Sequence, residues 1–323
     1  MTIQCELCPK MCLIKPGQSG ECRVRINVDG VLRTVVYGYP CSIHIDPVEK
    51  KPLFHFLPGT GILSIATAGC NLHCLNCQNW QISQANPEES QAVFCPPGKL
   101  VELANQNHCP SIAYTYTDPI VYYEYTYDSA KLARDKGIRN VLVTAGYINE
   151  EPWKRLLEYV DAANIDLKFI SDDLYQRICS GTLKPIQNAL VLAKASGVLV
   201  EVTNLVIPTL NDKPEQIREL AHWIKANLGS DTPLHFSGFY PQYKMKNLPS
   251  TSLQTLETAR EIAISEGLDY VYIGNVRSKE GENTYCPNCK NVLIERKGYT
   301  ILQNRLKDGR CPDCNKEIYG VWK

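Results

Sequence analysis

Gly69-Cys70-Asn71-Leu72-His73-Cys74-Leu75-Asn76-Cys77-Gln78-Asn79-Trp80 places three cysteines at C-x3-C-x2-C, directly after the apolar run Ile62-Leu63-Ser64-Ile65-Ala66-Thr67-Ala68. Three thiolates this close suit a cuboidal iron–sulfur cluster, each holding one iron. The loop offers no fourth cysteine, so one iron is left open to bind a second molecule. Open coordination is what a metal needs to do chemistry. A zinc loop, or three thiols that merely sit together, is the plainer reading of the same triplet.

The apolar run also starts a strand–helix alternation that persists down the chain. Period-2 and buried apolar runs predict strands at 62–68, 111–117, 140–146, 163–169, 199–207, 233–239 and 270–275. Helical periodicity falls between them, at 97–103, 119–136, 151–161, 185–196, 213–228 and 251–266, with Gly137, Gly197, Gly229 and Gly267 where C-terminal caps belong. Repeated β-α units demand a parallel sheet with helical crossovers. Six or seven such strands predict an α/β fold of the partial TIM-type (β/α)6 barrel kind, with a doubly wound sheet as the alternative. Barrel sites form at the C-terminal ends of strands. Cys70, Thr115 to Asp118, Thr144, Asp166, Lys168, Asn204, His235 and Asn275 all fall at such ends. The triplet loop is therefore expected to belong to a site. Asp166 and Lys168 alternate along one strand, so both can face the same side. A buried salt bridge without a ligand is the plainer reading of that pair.

Lys+Arg and Asp+Glu balance at 34 each over 323 residues, which leaves no global field for nucleic acid or an anionic membrane. No apolar run approaches the ~18–20 residues of a membrane span, and the first residues are not a signal peptide. A cytoplasmic protein is expected. Fifteen cysteines are many, and they are grouped. Cys5, Cys8, Cys12 and Cys22 lie in an irregular leader (1–57), while Cys286, Cys289, Cys311 and Cys314 lie in a C-terminal module (279–323) beyond the barrel (58–278). In a reducing compartment such groups read as metal ligands. The leader four suit zinc or a second iron–sulfur cluster. The paired C-x2-C knuckles of the tail suit a zinc ribbon, though rubredoxin-type iron shares that geometry. Cys41, Cys95, Cys109 and Cys179 read as buried small residues. The proline-punctuated stretch 42–58 reads as a loop crossing the barrel mouth, with His44 and His55 as structural side chains.

The leader cysteines, Asp-Pro-Val-Glu-Lys-Lys-Pro-Leu at 46–53, the triplet with Gln-Asn-Trp after it, Asn-Ile-Asp-Leu-Lys at 164–168 and Thr-Asn-Leu-Val-Ile-Pro-Thr-Leu-Asn-Asp at 203–212 occur in order. Residues 1 to about 278 thereby resemble the radical S-adenosylmethionine (SAM) superfamily, in its pyruvate formate-lyase activating enzyme-like branch, and in particular the AmmeMemoRadiSam-system proteins. The resemblance implies a [4Fe-4S] cluster on Cys70, Cys74 and Cys77 and SAM chelated by the open iron. It implies a 5′-deoxyadenosyl radical that abstracts hydrogen, and an electron donor of flavodoxin or ferredoxin type. A protein substrate is implied too, with Memo-like or AMMECR1-like proteins as associated partners. For SAM it implies contacts from Thr117 and Asp118 to the ammonium, Lys168 to the carboxylate, Asp166 to an amino group, ribose or cation, and others from Asn76, Gln78, Asn204 and His235. Two departures stand out. Asn76 occupies the position of an aromatic residue near the adenine, and Asp118 stands for a glutamate. The alternatives are radical modification of an RNA or small molecule, and a non-catalytic zinc-binding adaptor.

Overall fold

The computed structural model describes residues 1–323. The leader makes two small antiparallel ribbons, β1 (Ile3–Gln4) with β2 (Leu13–Ile14) and β3 (Arg25–Val28) with β4 (Val31–Thr34). The stretch expected as a mouth loop instead begins with a strand, β5 (Ser42–Pro47), antiparallel to β6 (Gly61–Ala66). Its single proline closes the strand at the sheet edge, where a missing N–H breaks no ladder. The rest of the stretch, from Val48 to Thr60, lies at the N-terminal end of β6, opposite the cysteine triplet.

From β6 the parallel strands follow in chain order: β7 (Ser111–Tyr114), β8 (Arg139–Thr144), β9 (Ala162–Asp166), β10 (Leu199–Val206), β11 (Leu234–Gly238) and β12 (Val271–Gly274). With β5 they form one eight-stranded sheet, open between β5 and β12. The order never reverses, which excludes the doubly wound arrangement and its switch point. After a short helix α1 (Trp80–Ser83) come α2 (Pro97–Gln106), α3 (Tyr123–Asp135), α4 (Glu150–Leu157), the single turn α5 (Asp172–Leu174), α6 (Leu183–Ala195), α7 (Pro214–Leu228) and α8 (Leu253–Ser265). Neighbouring crossover helices pack on one another, α2 on α3, α4 on α6, α6 on α7 and α7 on α8, so they cover one face of the sheet. Gly137, Gly197, Gly229 and Gly267 end α3, α6, α7 and α8 with φ of 73–98°, as their positions predict. The main core of Ile, Leu, Val and aromatic side chains fills the layer between helices and sheet.

The C-terminal module is a three-stranded sheet of β13 (Thr284–Tyr285), β14 (Val292–Lys297) and β15 (Thr300–Asn304). It packs beneath the large sheet and shares a core with it, Tyr270 and Tyr272 meeting Leu293, Ile294 and Ile318. Leu57 donates to the Val321 carbonyl at 2.7 Å, and Val321 donates back to His55 at 2.7 Å. The fully buried His55 ring contacts Tyr272 Oη through Nε2 at 2.6 Å and the Tyr319 carbonyl through Nδ1 at 2.5 Å. Arg296, buried, donates to Thr284 Oγ1 and to the Phe54 carbonyl. This polar knot ties the module to the floor of the sheet. His44 is exposed on β5.

Candidate active site

One large cleft, enclosing about 450 Å³, opens over the C-terminal ends of the parallel strands. Its walls bring together Cys70, Cys74 and Cys77 with Asn76, Gln78, Thr117, Asp118, Asp166 and Lys168. The triplet loop is held from behind by the segment after β9. His73 and Leu75 donate their N–H groups to the carbonyls of Cys179 and Ile178 at 3.0 and 2.9 Å. Those acceptors belong to a π-helical turn, Tyr175–Cys179, a geometry that clusters at functional sites. The turn also sets Cys179 beside Cys74. Hydrogen bonding from Cys179, ahead of the Lys168 charge, draws the Cys74 thiol below its usual range. Burial raises Cys70 well above that range, with Asp118 and Cys74 adding to it. Burial raises Cys77 as well, although Ser83 Oγ lies 3.1 Å from its sulfur.

Asp166 Oδ2 accepts from Lys168 Nζ at 2.6 Å. Burial alone would lower the Lys168 pKa, but the charges of Asp166, Cys74 and Cys179 outweigh it and keep the ammonium protonated. Asp118 is already well occupied. Its carboxylate accepts from Thr144 Oγ1 at 2.8 Å, from the Ala145 N–H at 3.0 Å and from the Ile120 N–H at 3.2 Å. It orders the turn after β8 as well as lining the cleft. Thr117 donates to the Thr67 carbonyl at 3.1 Å. Asn76 differs from these. Its Oδ1 is buried on the cleft lining and accepts no hydrogen bond from the protein.

Two expected residues do not reach the cleft. Thr203 and Leu205 of β10 line it, so Asn204 lies on the opposite side of the pleat. There it donates to the Leu167 and Lys168 carbonyls at 2.7 and 3.1 Å. His235 sits one pleat below the lining residue Ser237 and is buried. Its Nε2 lies 2.6 Å from Glu201 Oε2, and Glu201 also accepts the N–H groups of Phe54 and His55. Both residues serve the framework.

Other lining residues carried weaker signals in the sequence. Lys51 enters the cleft from the floor, its Nζ 2.6 Å from Asp46 Oδ2 and 4.2 Å from the Tyr116 ring centroid. Tyr116 donates its hydroxyl to the same carboxylate. Burial draws Lys51 down to about 8, with Asp46 acting against it. Tyr116 has φ 61° and is pinned by Asn79, whose Nδ2 donates to its carbonyl at 2.6 Å. Tyr116 and Tyr299, the latter from the β14–β15 turn, supply the aromatic rings of the lining. Lys51 lies in the run 46–53, which the sequence offers only as a motif, and nothing local points to Tyr299.

The C-terminal cysteines form a separate centre. Cys286 and Cys314 sulfurs stand 3.5 Å apart and those of Cys289 and Cys311 3.6 Å apart, all four within 4.8 Å of one another. Each knuckle turns on a residue with left-handed φ, Lys290 at 64° and Asn315 at 60°. A tetrahedral ion with bonds of ~2.3 Å to sulfur separates its ligands by ~3.8 Å, so this group has the size of a single-ion site. The leader cysteines, Cys5, Cys8, Cys12 and Cys22, line a small pocket beside Asn71.

Residues 64–224 match the radical SAM superfamily. An uncharacterised protein of Methanocaldococcus jannaschii is 49% identical over 98% of this chain and 95% of its own length. The pyruvate formate-lyase-activating enzyme of Clostridium pasteurianum is 25% identical, over 52% of this chain and 71% of its own. Among solved structures, Streptococcus suis SuiB bound to S-adenosylmethionine aligns with a TM-score of 0.53 and 13% identity, covering 70% of this chain and 52% of SuiB. A radical SAM methyltransferase from Sphaerobacter thermophilus aligns at 0.52 and 14%, covering 67% and 66%. The chain belongs to the radical SAM superfamily, whose members are enzymes of radical chemistry. Membership implies a [4Fe-4S] cluster and SAM. No helix is long and apolar enough to cross a membrane.

Proposed function

We propose that Cys70, Cys74 and Cys77 hold a [4Fe-4S] cluster and that the cleft binds SAM beside it, within a sheet read as a partial TIM-type barrel. When bound, the cluster supplies the electron that splits a C–S bond of SAM, and the resulting 5′-deoxyadenosyl radical abstracts hydrogen from a substrate. The observation that carries this reading is one cleft holding three thiols, an orphan acceptor and an ion pair. Lys168 offers a permanent positive charge to the SAM carboxylate, and Asp166 fixes where that charge stands. Thr117 and Asp118 close the wall toward the SAM ammonium. Asn76 and Gln78 take polar edges, and Tyr116 or Tyr299 supplies the aromatic surface that Asn76 cannot.

The substrate is read as a protein partner, by likeness to the activating enzymes, with a flavodoxin- or ferredoxin-type electron donor. Memo-like and AMMECR1-like proteins are the candidates that the sequence resemblance offers. A small anionic substrate is the second reading, favoured by the Lys51 ammonium on the cleft lining. The C-terminal four cysteines are read as a zinc ribbon supporting the floor. Cysteines grouped at metal-ligand spacing suit a reducing, cytoplasmic setting.

The test is anaerobic reconstitution with iron and sulfide, followed by reduction in the presence of SAM. Formation of 5′-deoxyadenosine that Cys74→Ala abolishes supports the reading. An unchanged yield in Cys74→Ala overturns it. A glycyl-type radical signal on a candidate partner would select the protein reading, whereas substrate turnover without any partner would select the small molecule.

A further inference from the structure

The four leader cysteines come from a segment with little regular structure, yet they converge. Cys5, Cys8, Cys12 and Cys22 line one pocket with Arg25 and Asn71. Cys5 donates its N–H to the Cys12 carbonyl at 2.9 Å, and the Cys8–Met11 turn closes at 3.1 Å. Three of the four are buried and Cys12 is half-buried, and four thiols grouped around one space form a ready set of metal ligands.

What that something is follows from the spacing. The C-terminal four have their sulfurs within 4.8 Å of one another, as a single tetrahedral ion requires. Neither the leader four nor the Cys70 triplet meets that spacing. A four-iron cluster spreads its thiolates farther apart, since each holds a different iron. Lys10 and Arg25 also line the pocket, paired with the carboxylates of Glu21 and Glu124. Arg25 is buried, its Nε has no partner, and Glu124 of α3 grips its other end at 2.7 Å.

The pocket backs onto the triplet loop. A Cβ on Gly69 would stand 2.5 Å from the Cys22 carbonyl, so only glycine permits this approach, one residue before Cys70. Asn71, one residue after Cys70, lines the same pocket as Cys8 and donates its Nδ2 to the Tyr147 carbonyl at 2.7 Å. The Cys22–Gly69 approach thus brings the backbone of a leader cysteine to within one residue of Cys70.

We propose that Cys5, Cys8, Cys12 and Cys22 bind a second [4Fe-4S] cluster, which passes single electrons to the cluster on the triplet. In each transfer the leader cluster goes from the 1+ to the 2+ state while the triplet cluster goes from 2+ to 1+. A one-electron carrier protein of flavodoxin or ferredoxin class restores the leader cluster. The metal assignment stands independently of the radical reading; the relay rests on it.

The full chain, reconstituted anaerobically, should hold about eight irons and eight sulfides with one zinc. A triple variant, Cys70→Ala with Cys74→Ala and Cys77→Ala, leaves the leader untouched. It should keep about four irons and four sulfides and show a reducible cluster signal by electron paramagnetic resonance. Zinc without iron in that variant overturns the assignment. Loss of all iron from Cys8→Ala/Cys22→Ala, in protein whose circular dichroism is native, would leave the leader cluster standing and sink the triplet reading instead. The relay is read by rapid mixing. Reduction of the triplet cluster by a reduced ferredoxin should slow at least tenfold in Cys8→Ala/Cys22→Ala, while reduction by dithionite proceeds. Equal rates with ferredoxin in the variant and the parent overturn the relay.

Discussion

Lys51 Nζ and Asp46 Oδ2 are paired at 2.6 Å beneath the cleft, both side chains less than a tenth exposed. Lys51 shares the lining of the cleft with the cysteine triplet, and Tyr116, also on the lining, donates its hydroxyl to Asp46. A buried ion pair of this kind gives little stability by itself. Its place on the lining gives it a use.

Lys51 is expected to anchor an anionic group of the substrate. Its folded-state pKa, drawn to about 8, means the ammonium is lost as pH rises past that value. Substrate affinity should therefore fall above about pH 8, and Lys51→Met should remove that limb of the profile while 5′-deoxyadenosine formation without substrate persists. The sign for stability is opposite. Between about 8 and the ordinary lysine value the unfolded chain binds the extra proton, so this group makes folding more favourable as pH rises there. A decline in affinity that survives in Lys51→Met would remove the assignment.

Lys168 should matter for SAM itself. A hydrogen bond to a charged partner contributes about 1.5–3 kcal/mol, so Lys168→Met should weaken SAM binding by roughly ten- to a hundredfold. Isothermal titration on the reconstituted protein measures this. Unchanged affinity would mean the Asp166–Lys168 pair is structural.

His55 predicts an acid-sensitive floor. Burial lowers its pKa to about 4 from the ordinary 6.5, with Glu201 acting against the shift, so the folded state holds it neutral. The unfolded chain takes up a proton as pH falls from about 6.5 toward 4, and stability drops by about 3 kcal/mol across that window. Urea midpoints recorded from pH 7 to pH 4 should show the drop, and His55→Gln should flatten it. An equal slope in both proteins would place the acid sensitivity elsewhere.

Much of this is legible in the sequence. The β-α alternation, the glycine caps and the three cysteine groups stand in the sequence, and period 2 put Asp166 and Lys168 on one face. The misses have physical causes. Ser42–Pro47 reads as a loop because it opens the stretch 42–58 that Pro47, Pro52 and Pro58 punctuate, although alternation of Ile43 and Ile45 with polar neighbours is an edge-strand pattern. Asn204 was misplaced by one step of the pleat and His235 by one layer of depth, and neither register nor depth is written in a single strand. Cys179 meets Cys74 across about a hundred residues of chain, and only the π-helical turn makes that contact. Lys51 acts from the floor, at the other end of the strands from where site residues were sought.

The C-terminal centre should be separable from the chemistry. Cys289→Ala should release one metal ion, measured by mass spectrometry, and lower the melting temperature, because the module shares its core with the floor around Phe54 and Tyr272. Iron at the triplet should remain. Loss of triplet iron together with the C-terminal ion would mean the two centres are coupled through the fold.

The central claim is an iron with an open position at the triplet. Electron paramagnetic resonance of the reduced protein, recorded with and without SAM, tests it most directly. SAM is expected to change the cluster spectrum, and the change should be absent from the Cys70→Ala, Cys74→Ala, Cys77→Ala triple variant. A spectrum that SAM leaves unaltered, in protein with its full iron content, would contradict the account.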